Sequence, residues 1–525
     1  MNYMQFDILC VGRLKDKAFE QRCQEYLKWI APYARVRLTE LPDAGKEKEN
    51  AALLRHLEKI SGVPGPELML RAGVEAARLI REEFYRYPDR RRIVIVTGKG
   101  NNAGDGIVAA LTLAADTALP RPVIAAVSPL EQLVGEAGVY TPMLKDARVD
   151  VTNQMDFRQG DLIVDALFGI GVSRDIAAPY SEWIRTINES GSPVIALDLP
   201  SGLDGDTGEI HGCAVRADVT ITFGLPKTGL FRNKGPSVCG RLKCADLRIS
   251  GKIMDSIPAD FESFFEADAA KLLPRLPFDA YKNSRGRLLL AAGSARYPGA
   301  AKLAASAALR TGAGFIRLAT EAACSFPPPV VLHKDSEDEL QALFSQIDAI
   351  AAGPGWGQDP VRKKQLRLIA ASGKPLVLDA DGLNTLAQMD KITLPEECIL
   401  TPHIGEAGRL MPELPESRIE AAQQLAQKYG CIVVLKGPQT IVAAQDGRYS
   451  INSSGSPALG IAGSGDVLTG VIGALLASGM KAYDAARLGV WLHGAAGECV
   501  PMRGLQADDL PERIRNIMGK ASPIC

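Results

Sequence analysis

The chain has 525 residues, of which 46% are hydrophobic, enough for roughly two to four packed domains. Its 60 Lys and Arg residues are balanced by 61 Asp and Glu residues, so no overall basic surface is indicated and we expect no nucleic-acid partner. The 10 cysteines form no CxxC pair, and no apolar run approaches the ~20 residues that span a bilayer, so we expect a cytoplasmic protein without structural zinc, a disulfide framework or membrane contact.

The first predicted elements form a short β-α-β segment within residues 1–60. FDILCVG and VRLTELP have the apolar content and alternation of strands. Between them, AFEQRCQEYLKWIAPYA has the apolar spacing of an amphipathic helix. The sequence therefore predicts a separate small segment ahead of the larger blocks.

Two longer blocks follow, and each alternates apolar strands with amphipathic helices. The first covers residues 61–250, where the predicted strand RRIVIVTG precedes the predicted helix GIVAALTLAAD. The second covers residues 277–525 and repeats this alternation. Residues 251–276 break the pattern with scattered acids and prolines, and we predict a linker there. The alternation predicts two α/β domains, each with a mostly parallel sheet covered by helices on both faces.

In the first α/β block, three polar loops follow three predicted strands. They are GKGNNAGDG at Gly98–Gly106, DALFGIGVSRD at Asp165–Asp175 and DLPSGLDGDTG at Asp198–Gly208. Taken singly, each is also typical of a tight turn, a helix cap or a capped surface loop. Because the carboxyl ends of parallel strands meet at one edge of a sheet, the three together predict a ligand site there. Oxygen ligands without His or Cys suit a hard cation such as K⁺ or Mg²⁺.

These three motifs and TFGLPKTG, in this order, resemble the NAD(P)H-hydrate epimerase domain, a Rossmann-like three-layer sandwich. The resemblance implies a K⁺ site at Asn102, Asp165 and Ser201. It also implies that Asp198 is the carboxylate that handles or orients a proton. The implied hydrate contacts come from two loops and from Asp198 itself: Asn101, Asn102, Ala103, Gly104, Asp105, Gly169, Ile170, Gly171, Val172, Ser173, Arg174, Asp175 and Asp198. At Ala103 the sequence departs from the family's usual glycine.

In the second α/β block, the run AGSGDVLTG at Ala462–Gly470 places glycines and an acid at a predicted helix start. Free amides of residues 464–466 would face an oxyanion there, and Asp466 is predicted to act as a base on a hydroxyl. A purely structural glycine loop is the alternative. No GxxxxGK[ST] run is present, so this is not a P-loop enzyme. Four further polar loops end predicted strands: GPGWG, DADGLN, TPHIGE and LKGPQT.

Together these motifs resemble the ADP-dependent NAD(P)H-hydrate dehydratase domain, which has a ribokinase-like fold. The resemblance implies hydrate contacts at Ala300, Gly355, His403 and Asp466. It implies adenine-nucleotide contacts at Lys436, Gly437, Pro438, Gln439, Thr440 and Gly465. Glu406 resembles the acid that supports Mg²⁺ in the wider sugar-kinase superfamily. The implied reaction phosphorylates the ring hydroxyl of the hydrate with ADP as donor; phosphate then leaves, and NADH or NADPH is restored.

Residues 4–50 resemble the start of a SPOUT-class large-subunit rRNA methyltransferase of the small, pseudouridine-methylating kind. The knot-forming segment that binds S-adenosylmethionine in that family has no counterpart before SGVPGPELM, so the methyltransferase site is missing. Three interpretations stay open: a gene-fusion remnant, a docking or dimerisation module, and a false resemblance of a generic β-α-β start. We favour the remnant or the module.

The leading hypothesis is a bifunctional enzyme that repairs hydrated NADH and NADPH (NADHX and NADPHX). One domain would epimerise the R and S hydrates, and the other would dehydrate the S hydrate, using ADP, releasing AMP and requiring K⁺ and Mg²⁺. A stereospecific dehydratase alone would leave the other isomer unrepaired, which explains why the two domains are fused in one chain. We also expect a homo-oligomer.

Two alternatives remain. A vitamin-type small-alcohol kinase with an inactive N-terminal binding domain would share the GSGD loop but would not explain the first α/β block. A nucleotide-binding or RNA-associated partner protein is suggested by residues 4–50 alone, and the near-neutral charge argues against it.

Overall fold

A computed structural model describes residues 4–11, 34–41, 62–87, 89–254, 261–273, 278–279, 282–498 and 503–521. The chain forms two compact units that divide near residue 258. Within the described ranges, every helix is too short or too polar to cross a bilayer.

The described part of the first sixty residues is a pair of parallel strands, β1 (Met4–Val11) and β2 (Ala34–Leu41). The two strands predicted there are confirmed. The helix predicted between the two strands lies outside the described residues.

The first unit is built on a seven-stranded sheet. Its strands are β3 (Arg92–Thr97), β4 (Val123–Ala126), β5 (Asp150–Thr152), β6 (Asp161–Ala166), β7 (Val194–Leu197), β8 (Val219–Phe223) and β9 (Arg241–Ala245). Its helices are α1 (Gly65–Arg86), α2 (Asn101–Ala115), α3 (Glu136–Tyr140), α4 (Tyr180–Glu189), α5 (Gly235–Val238) and α6 (Gly251–Met254). The strand order is β5-β4-β3-β6-β7-β8-β9, and the pairs from β5 through β8 are parallel.

Alternate residues of β3 are buried on opposite faces of this sheet. Ile93 and Ile95 belong to a core shared with α1 and α2. Val94 and Val96 belong to a second core that contains Trp183 of α4. Because successive side chains of a strand point to opposite faces, an apolar run of this kind requires helices on both sides of the sheet. The predicted three-layer arrangement is confirmed.

The strand order places β3, β6 and β7 side by side, so the three polar loops predicted from the sequence leave the same edge of the sheet. One boundary differs from the prediction, because α2 already begins at Asn101 and Gly100 is its N-cap. Residues 101–105 are therefore helical rather than part of a glycine-rich loop. Asn102 and Asp105 are three residues apart and share one face of this helix.

The second unit is built on a ten-stranded sheet with the order β10-β19-β18-β17-β16-β15-β14-β11-β12-β13. Its strands are β10 (Glu262–Phe264), β11 (Arg287–Ala291), β12 (Phe315–Ala319), β13 (Val330–His333), β14 (Ala349–Ala352), β15 (Leu376–Leu378), β16 (Cys398–Leu400), β17 (Ile432–Leu435), β18 (Ile441–Ala443) and β19 (Tyr449–Asn452). All neighbouring pairs are parallel except β17–β18 and β18–β19. The mostly parallel sheet predicted for this block is confirmed.

Ten described helices accompany this sheet. They are α7 (Glu266–Leu272), α8 (Pro298–Thr311), α9 (Glu337–Leu343), α10 (Val361–Ala371), α11 (Ala380–Ala387), α12 (Ile404–Leu410), α13 (Arg418–Tyr429), α14 (Ser464–Ala477), α15 (Ala482–Gly497) and α16 (Leu510–Ala521). Helices α8 and α14 approach closely at Gly470, where an added Cβ would lie 2.1 Å from the carbonyl oxygen of Ala304. Only glycine allows this backbone contact, which places the start of α14 over the sheet edge.

The range that the sequence analysis assigns to a linker, residues 251–276, contains regular structure. Strand β10 pairs with β19, and α7 follows it directly. Residues 262–272 therefore belong to the fold of the second unit. A three-residue edge strand is too short to show a reliable alternation, which is why the sequence pattern did not reveal it.

Candidate functional sites

The edge of the first sheet holds a buried carboxylate, Asp165, at the end of β6. Its Oδ1 accepts hydrogen bonds from Ser201 Oγ at 2.6 Å and from the Leu167 amide at 3.2 Å, and its Oδ2 accepts one from the Ser201 amide at 2.8 Å. Burial raises the pKa of Asp165 to about 6, although the hydrogen bonds from Ser201 oppose the rise. The structure thus brings together the loops after β6 and β7.

Asn102 joins the loops after β6 and β7 to helix α2. Its Nδ2 donates to the carbonyl oxygens of Phe168 at 2.9 Å and Leu197 at 3.1 Å. Its Oδ1 is buried and accepts no hydrogen bond from any residue that the structure describes. A buried acceptor left without a donor is costly unless a cation or water completes it.

The side-chain atoms near Asn102 that could bind a cation are all oxygen atoms, and one of these groups is the carboxylate of Asp165. Within the described residues, no three His, Cys, Asp or Glu side chains are grouped so that they could hold a metal. An ion here would therefore rely on the amide oxygen of Asn102, the Ser201 hydroxyl and backbone carbonyls beside Asp165. Such a set of oxygen ligands fits a large cation that tolerates irregular coordination geometry better than it fits zinc.

Asp198 lies at the end of β7 in a left-handed backbone conformation, with φ of +65°. Its Oδ1 is ion-paired with Lys227 Nζ, which also donates to the Phe223 carbonyl at 3.0 Å. Asp105 of α2 faces the same pair: burial and the charge of Asp198 raise the pKa of Asp105 well above its usual range, while Lys227 opposes the rise. This group places two carboxyls beside an ammonium, in surroundings that favour the protonated form of Asp105.

The remaining residues predicted to contact the hydrate in this unit do not all face the site. Asn101 is exposed, whereas the methyl group of Ala103 is buried in the core, so the departure from glycine is accommodated there. Gly104 faces α1, since an added Cβ would lie 2.5 Å from the sulfur of Met69. The hydrate contacts predicted at these positions stay predictions, although the helix turns Ala103 and Gly104 toward the core rather than toward the sheet edge.

The loop after β6 has one end at the site and the other in solvent. An added Cβ at Gly169 would lie 3.5 Å from Asp198 Oδ2 and 3.6 Å from Asn102 Cβ, so Gly169 lies between the two predicted site residues. Residues 170–172 are half-buried, and residues 173–175 are exposed. The hydrate contacts predicted at Ile170, Gly171, Val172, Ser173, Arg174 and Asp175 thus lie on an accessible loop beside the site.

In the second unit, α14 begins in the GSGD motif. Gly463 is the N-cap, with φ of +88°, a conformation that favours glycine. The Ser464 amide donates to the Ile461 carbonyl at 3.4 Å, so it is not free as predicted, whereas the amides of residues 465 and 466 have no acceptor within the helix. Ser464 Oγ also shares a 2.9 Å hydrogen bond with Nε2 of the half-buried His493. Burial lowers the pKa of His493 to about 4.

Asp466 stands in the first turn of α14, half-buried among other acids. Burial raises its pKa to about 7, and the charges of Asp379 and Asp381 add to the rise, while Lys436 opposes it. A carboxylate with a pKa near the working pH is suited to general-base catalysis.

Lys436 links the carboxyl ends of three neighbouring strands. Its Nζ donates to Asp379 Oδ1 at 2.6 Å and lies 3.6 Å from Glu406 Oε2. Asp379 Oδ2 in turn accepts from Thr469 Oγ1 at 2.8 Å. These contacts attach the second turn of α14 to β15, β16 and β17, and the acids around Lys436 raise its pKa, so it remains charged.

His403 is the N-cap of α12. Its Nδ1 accepts from the Gly405 amide at 2.9 Å, and Glu406 Oε2 accepts from the His403 amide at 2.8 Å, which completes a capping box. Since Nδ1 accepts, the neutral ring carries its proton on Nε2. The imidazole is half exposed, with 54% of its side-chain surface accessible, so Nε2 can donate to a ligand.

Two further predicted contacts, Ala300 and Gly355, meet each other. Gly355 has φ of +58°, and an added Cβ there would lie 2.7 Å from the Cβ of Ala300. The same GPGWG loop reaches the DADGLN motif, where the Gly357 amide donates to Asp381 Oδ2 at 2.8 Å. Loops after β14, β15, β16 and β17 therefore line one edge of the sheet, as predicted.

The predicted nucleotide loop, Lys436–Thr440, follows β17. Arg418 of α13 donates from Nη1 to the carbonyl of Pro438 and from Nη2 to that of Leu435 at 3.4 Å. Gly437 and Gln439 both have positive φ, at +146° and +49°. Across the sheet edge, an added Cβ at Gly465 would lie 3.4 Å from Lys436 Nζ. The two parts of the predicted nucleotide site thus adjoin.

Both units match known family models. Residues 65–229 match the model described as YjeF-related protein N-terminus, and residues 288–518 match the model described as NAD(P)H-hydrate dehydratase. The chain is 36% identical over 481 residues to the bifunctional NAD(P)H-hydrate repair enzyme Nnr of Coxiella burnetii, which covers 88% of this chain and 97% of that protein. This chain belongs to the family of bifunctional NAD(P)H-hydrate repair enzymes.

Other members of the repair-enzyme family are similarly related. The bifunctional NAD(P)H-hydrate repair enzyme Nnr of Escherichia coli is 35% identical over 485 residues, covering 88% of this chain and 92% of that protein. The crystal structure of an ADP/ATP-dependent NAD(P)H-hydrate dehydratase from Bacillus subtilis aligns with 50% of this chain and 100% of its own, at 28% identity and a TM-score of 0.46. The two family models leave residues 1–64 uncovered, so the methyltransferase resemblance receives no support from them.

Sequence reasoning overlooked several residues that these family motifs contain. Lys227 lies in TFGLPKTG, Asp379 in DADGLN and Thr469 in AGSGDVLTG, and sequence reasoning assigned a specific role to none of the three. Ser294 follows β11, and its hydroxyl is buried without a hydrogen-bond partner. The sequence feature that could have identified such residues is a charged or hydroxyl side chain close after an apolar strand. Only the fold shows which of those residues face another charge.

Proposed function

We propose that the second unit dehydrates hydrated NADH and NADPH with ADP as phosphoryl donor. The observation that carries the proposal is Asp466, a carboxylate with a pKa near 7 in the first turn of α14, where the amides of residues 465 and 466 have no acceptor within the helix. Those amides and the ammonium of Lys436 would stabilise negative charge on a phosphoryl group in transfer. The family assignment supplies the substrate class.

In the first step, Asp466 accepts the proton of the ring hydroxyl while the hydroxyl oxygen attacks the terminal phosphorus of ADP. The bond to AMP breaks, and AMP leaves. In the second step, the C–O bond breaks with its electron pair going to the phosphate, the neighbouring carbon loses a proton to the departing phosphate, and the ring double bond forms. The Nε2–H of His403 would donate to an oxygen of the substrate or of the phosphate.

Mg²⁺, when bound, supplies positive charge against the phosphate oxygens. Glu406 and Asp379 are the carboxylates that would hold it, and both already neighbour Lys436. Their oxygen atoms suit a hard divalent cation. Since Glu406 also completes the α12 cap, it reaches this place in a fixed orientation.

We propose that the first unit interconverts the R and S hydrates. Inversion requires the C–O bond of the hydroxyl-bearing carbon to break and to form again on the opposite ring face. Asp105, whose pKa is raised by burial and by the charge of Asp198, would deliver a proton to the departing oxygen, and Asp198 would accept one from the incoming water. The ion pair with Lys227 holds Asp198 in place for this role.

K⁺ is proposed to bind at Asn102, Asp165 and Ser201. The buried Asn102 Oδ1 without a hydrogen-bond partner supports this assignment. Bound K⁺ would supply a positive charge that holds the loops after β3, β6 and β7 together. A cytoplasmic location and a homo-oligomeric state also stay predictions.

The test uses purified full-length chain and a mixture of R and S hydrates of NADH. With ADP, Mg²⁺ and K⁺ present, all hydrate should return to NADH, which is followed by its absorbance. Asp466→Asn should stop this recovery while R and S still interconvert, and Asp198→Asn should leave only the S form consumed. Recovery of NADH that does not need ADP, or no recovery at all, would refute the proposal for the second unit.

A further inference from the structure

A large cavity in the second unit lies beside the GSGD motif. Its volume is about 1040 Å³, at the upper end of the ~300–1,000 Å³ usual for small-ligand sites. One wall is the outer face of α8, with Lys302, Ser306 and Leu309 at helical spacing. Other parts come from Ile461 and Ala462 before the motif, and from the segment that leads into α16.

This cavity adjoins the N-cap of α14, the helix that carries Asp466. An added Cβ at Gly463, the N-cap of α14, would lie 2.5 Å from Leu303 Cδ1 and 3.1 Å from Ala507 Cβ, and both of those residues line the cavity. Gly299, another lining residue, directly precedes Ala300 in α8. The cavity therefore borders the residues where the ring of the hydrate is expected, and none of its lining residues belongs to the Lys436–Thr440 loop.

The substrate proposed above is a dinucleotide, but Asp466 and His403 account for contacts to its ring end only. The Lys436–Thr440 loop is assigned to ADP, so it is not free for the other nucleoside of the hydrate. We propose that this cavity receives the adenosine half of the hydrated dinucleotide. The inference rests on the proposed function of the second unit.

The lining suits such a ligand. Leu303, Leu309 and Ile461 offer apolar surface for the faces of a purine, which is planar and poorly hydrated. Ser306 offers a hydroxyl on the same helix face. The exposed Lys302 lies one residue before Leu303, close to the end of the cavity that adjoins GSGD, where the pyrophosphate would pass.

The test compares two substrates that share the reacting ring: hydrated NADH and hydrated reduced nicotinamide mononucleotide, which lacks the adenosine half. Ser306→Trp fills the cavity without touching the GSGD motif. We expect this change to lower the ratio of kcat/KM for the dinucleotide hydrate over that for the mononucleotide hydrate by about tenfold or more. The matched control, Gln427→Trp at an exposed position of α13, should keep the ratio of the unchanged protein.

Lys302→Glu provides an independent change at the same cavity, and it should lower the same ratio through repulsion of the pyrophosphate. If Ser306→Trp does not fold, as judged by circular dichroism, this second variant decides. Three results would overturn the assignment: equal losses of kcat/KM with both hydrates, an unchanged ratio of the two kcat/KM values, or a rise in the KM for ADP in place of a change in that ratio. Failure of the unchanged protein to convert either hydrate would instead refute the proposed function.

Discussion

Replacing Asp466 with Asn is expected to abolish dehydration and, at the same time, to stabilise the ligand-free second unit. Folding raises the pKa of this carboxyl from 3.8 to about 7, chiefly through burial. A raised pKa means that the folded state disfavours the ionised form, so a penalty develops as pH rises from about 4 and is complete above about 7. At about 1.4 kcal/mol per tenfold change in the protonation equilibrium, the upper limit is ~4 kcal/mol.

Because Asp466 keeps some contact with solvent, screening reduces this penalty, and we expect Asp466→Asn to stabilise the second unit by about 2 kcal/mol at pH 8. For a unit of this size, that corresponds to a rise in Tm of roughly 4–8 °C. Calorimetry without nucleotide at pH 5 and pH 8 measures it, and the gain should be larger at pH 8. The control Asp390→Asn, at an exposed carboxylate between α11 and β16, should show no such pH dependence. Equal stability of Asp466→Asn and the unchanged protein at pH 8 would refute the reasoning.

Three further outcomes are expected. Asp198→Asn should slow the interconversion of R and S hydrates by about 100-fold or more, measured by chromatography of the two isomers, and a loss below tenfold would contradict a proton-transfer role. With the S hydrate, kcat/KM for dehydration should fall about tenfold per pH unit below pH 7, because Asp466 must be ionised; a flat profile down to pH 5 would exclude it as the base. Asn102→Ala should remove the difference between epimerisation rates in K⁺ and Na⁺ salts, and a persisting difference would move the cation elsewhere.

The strand-helix alternation predicted both sheets well, because parallel strands buried on two faces are almost wholly apolar. The predicted strand RRIVIVTG became β3, and the predicted loops after β6 and β7 meet as expected. The sequence predicted the helix boundaries less accurately than the strands. Helix α2 begins at Asn101, since Gly100 takes the N-cap position and the polar residues after it form the first turn.

The sequence also could not predict which distant charged side chains would lie close enough to influence one another. Asp105 was predicted only as one of several hydrate contacts, but its pKa depends on Asp198 and Lys227, residues far away in the chain. The same holds for Asp379, which is 57 residues from its partner Lys436. An electrostatic environment of this kind arises only when strand order places distant loops side by side.

The sequence by itself determined the α/β class and the motif order, and it predicted a base at Asp466, because glycine and acid spacing at strand ends is a local property of the chain. Tertiary structure decided which amides at GSGD are free, since Ser464 is bonded to Ile461 while the next two amides have no acceptor within the helix. It also decided that Asp466 has a pKa near 7. That value depends on burial and on charges from other strands, and these distances exist only after the sheet has formed.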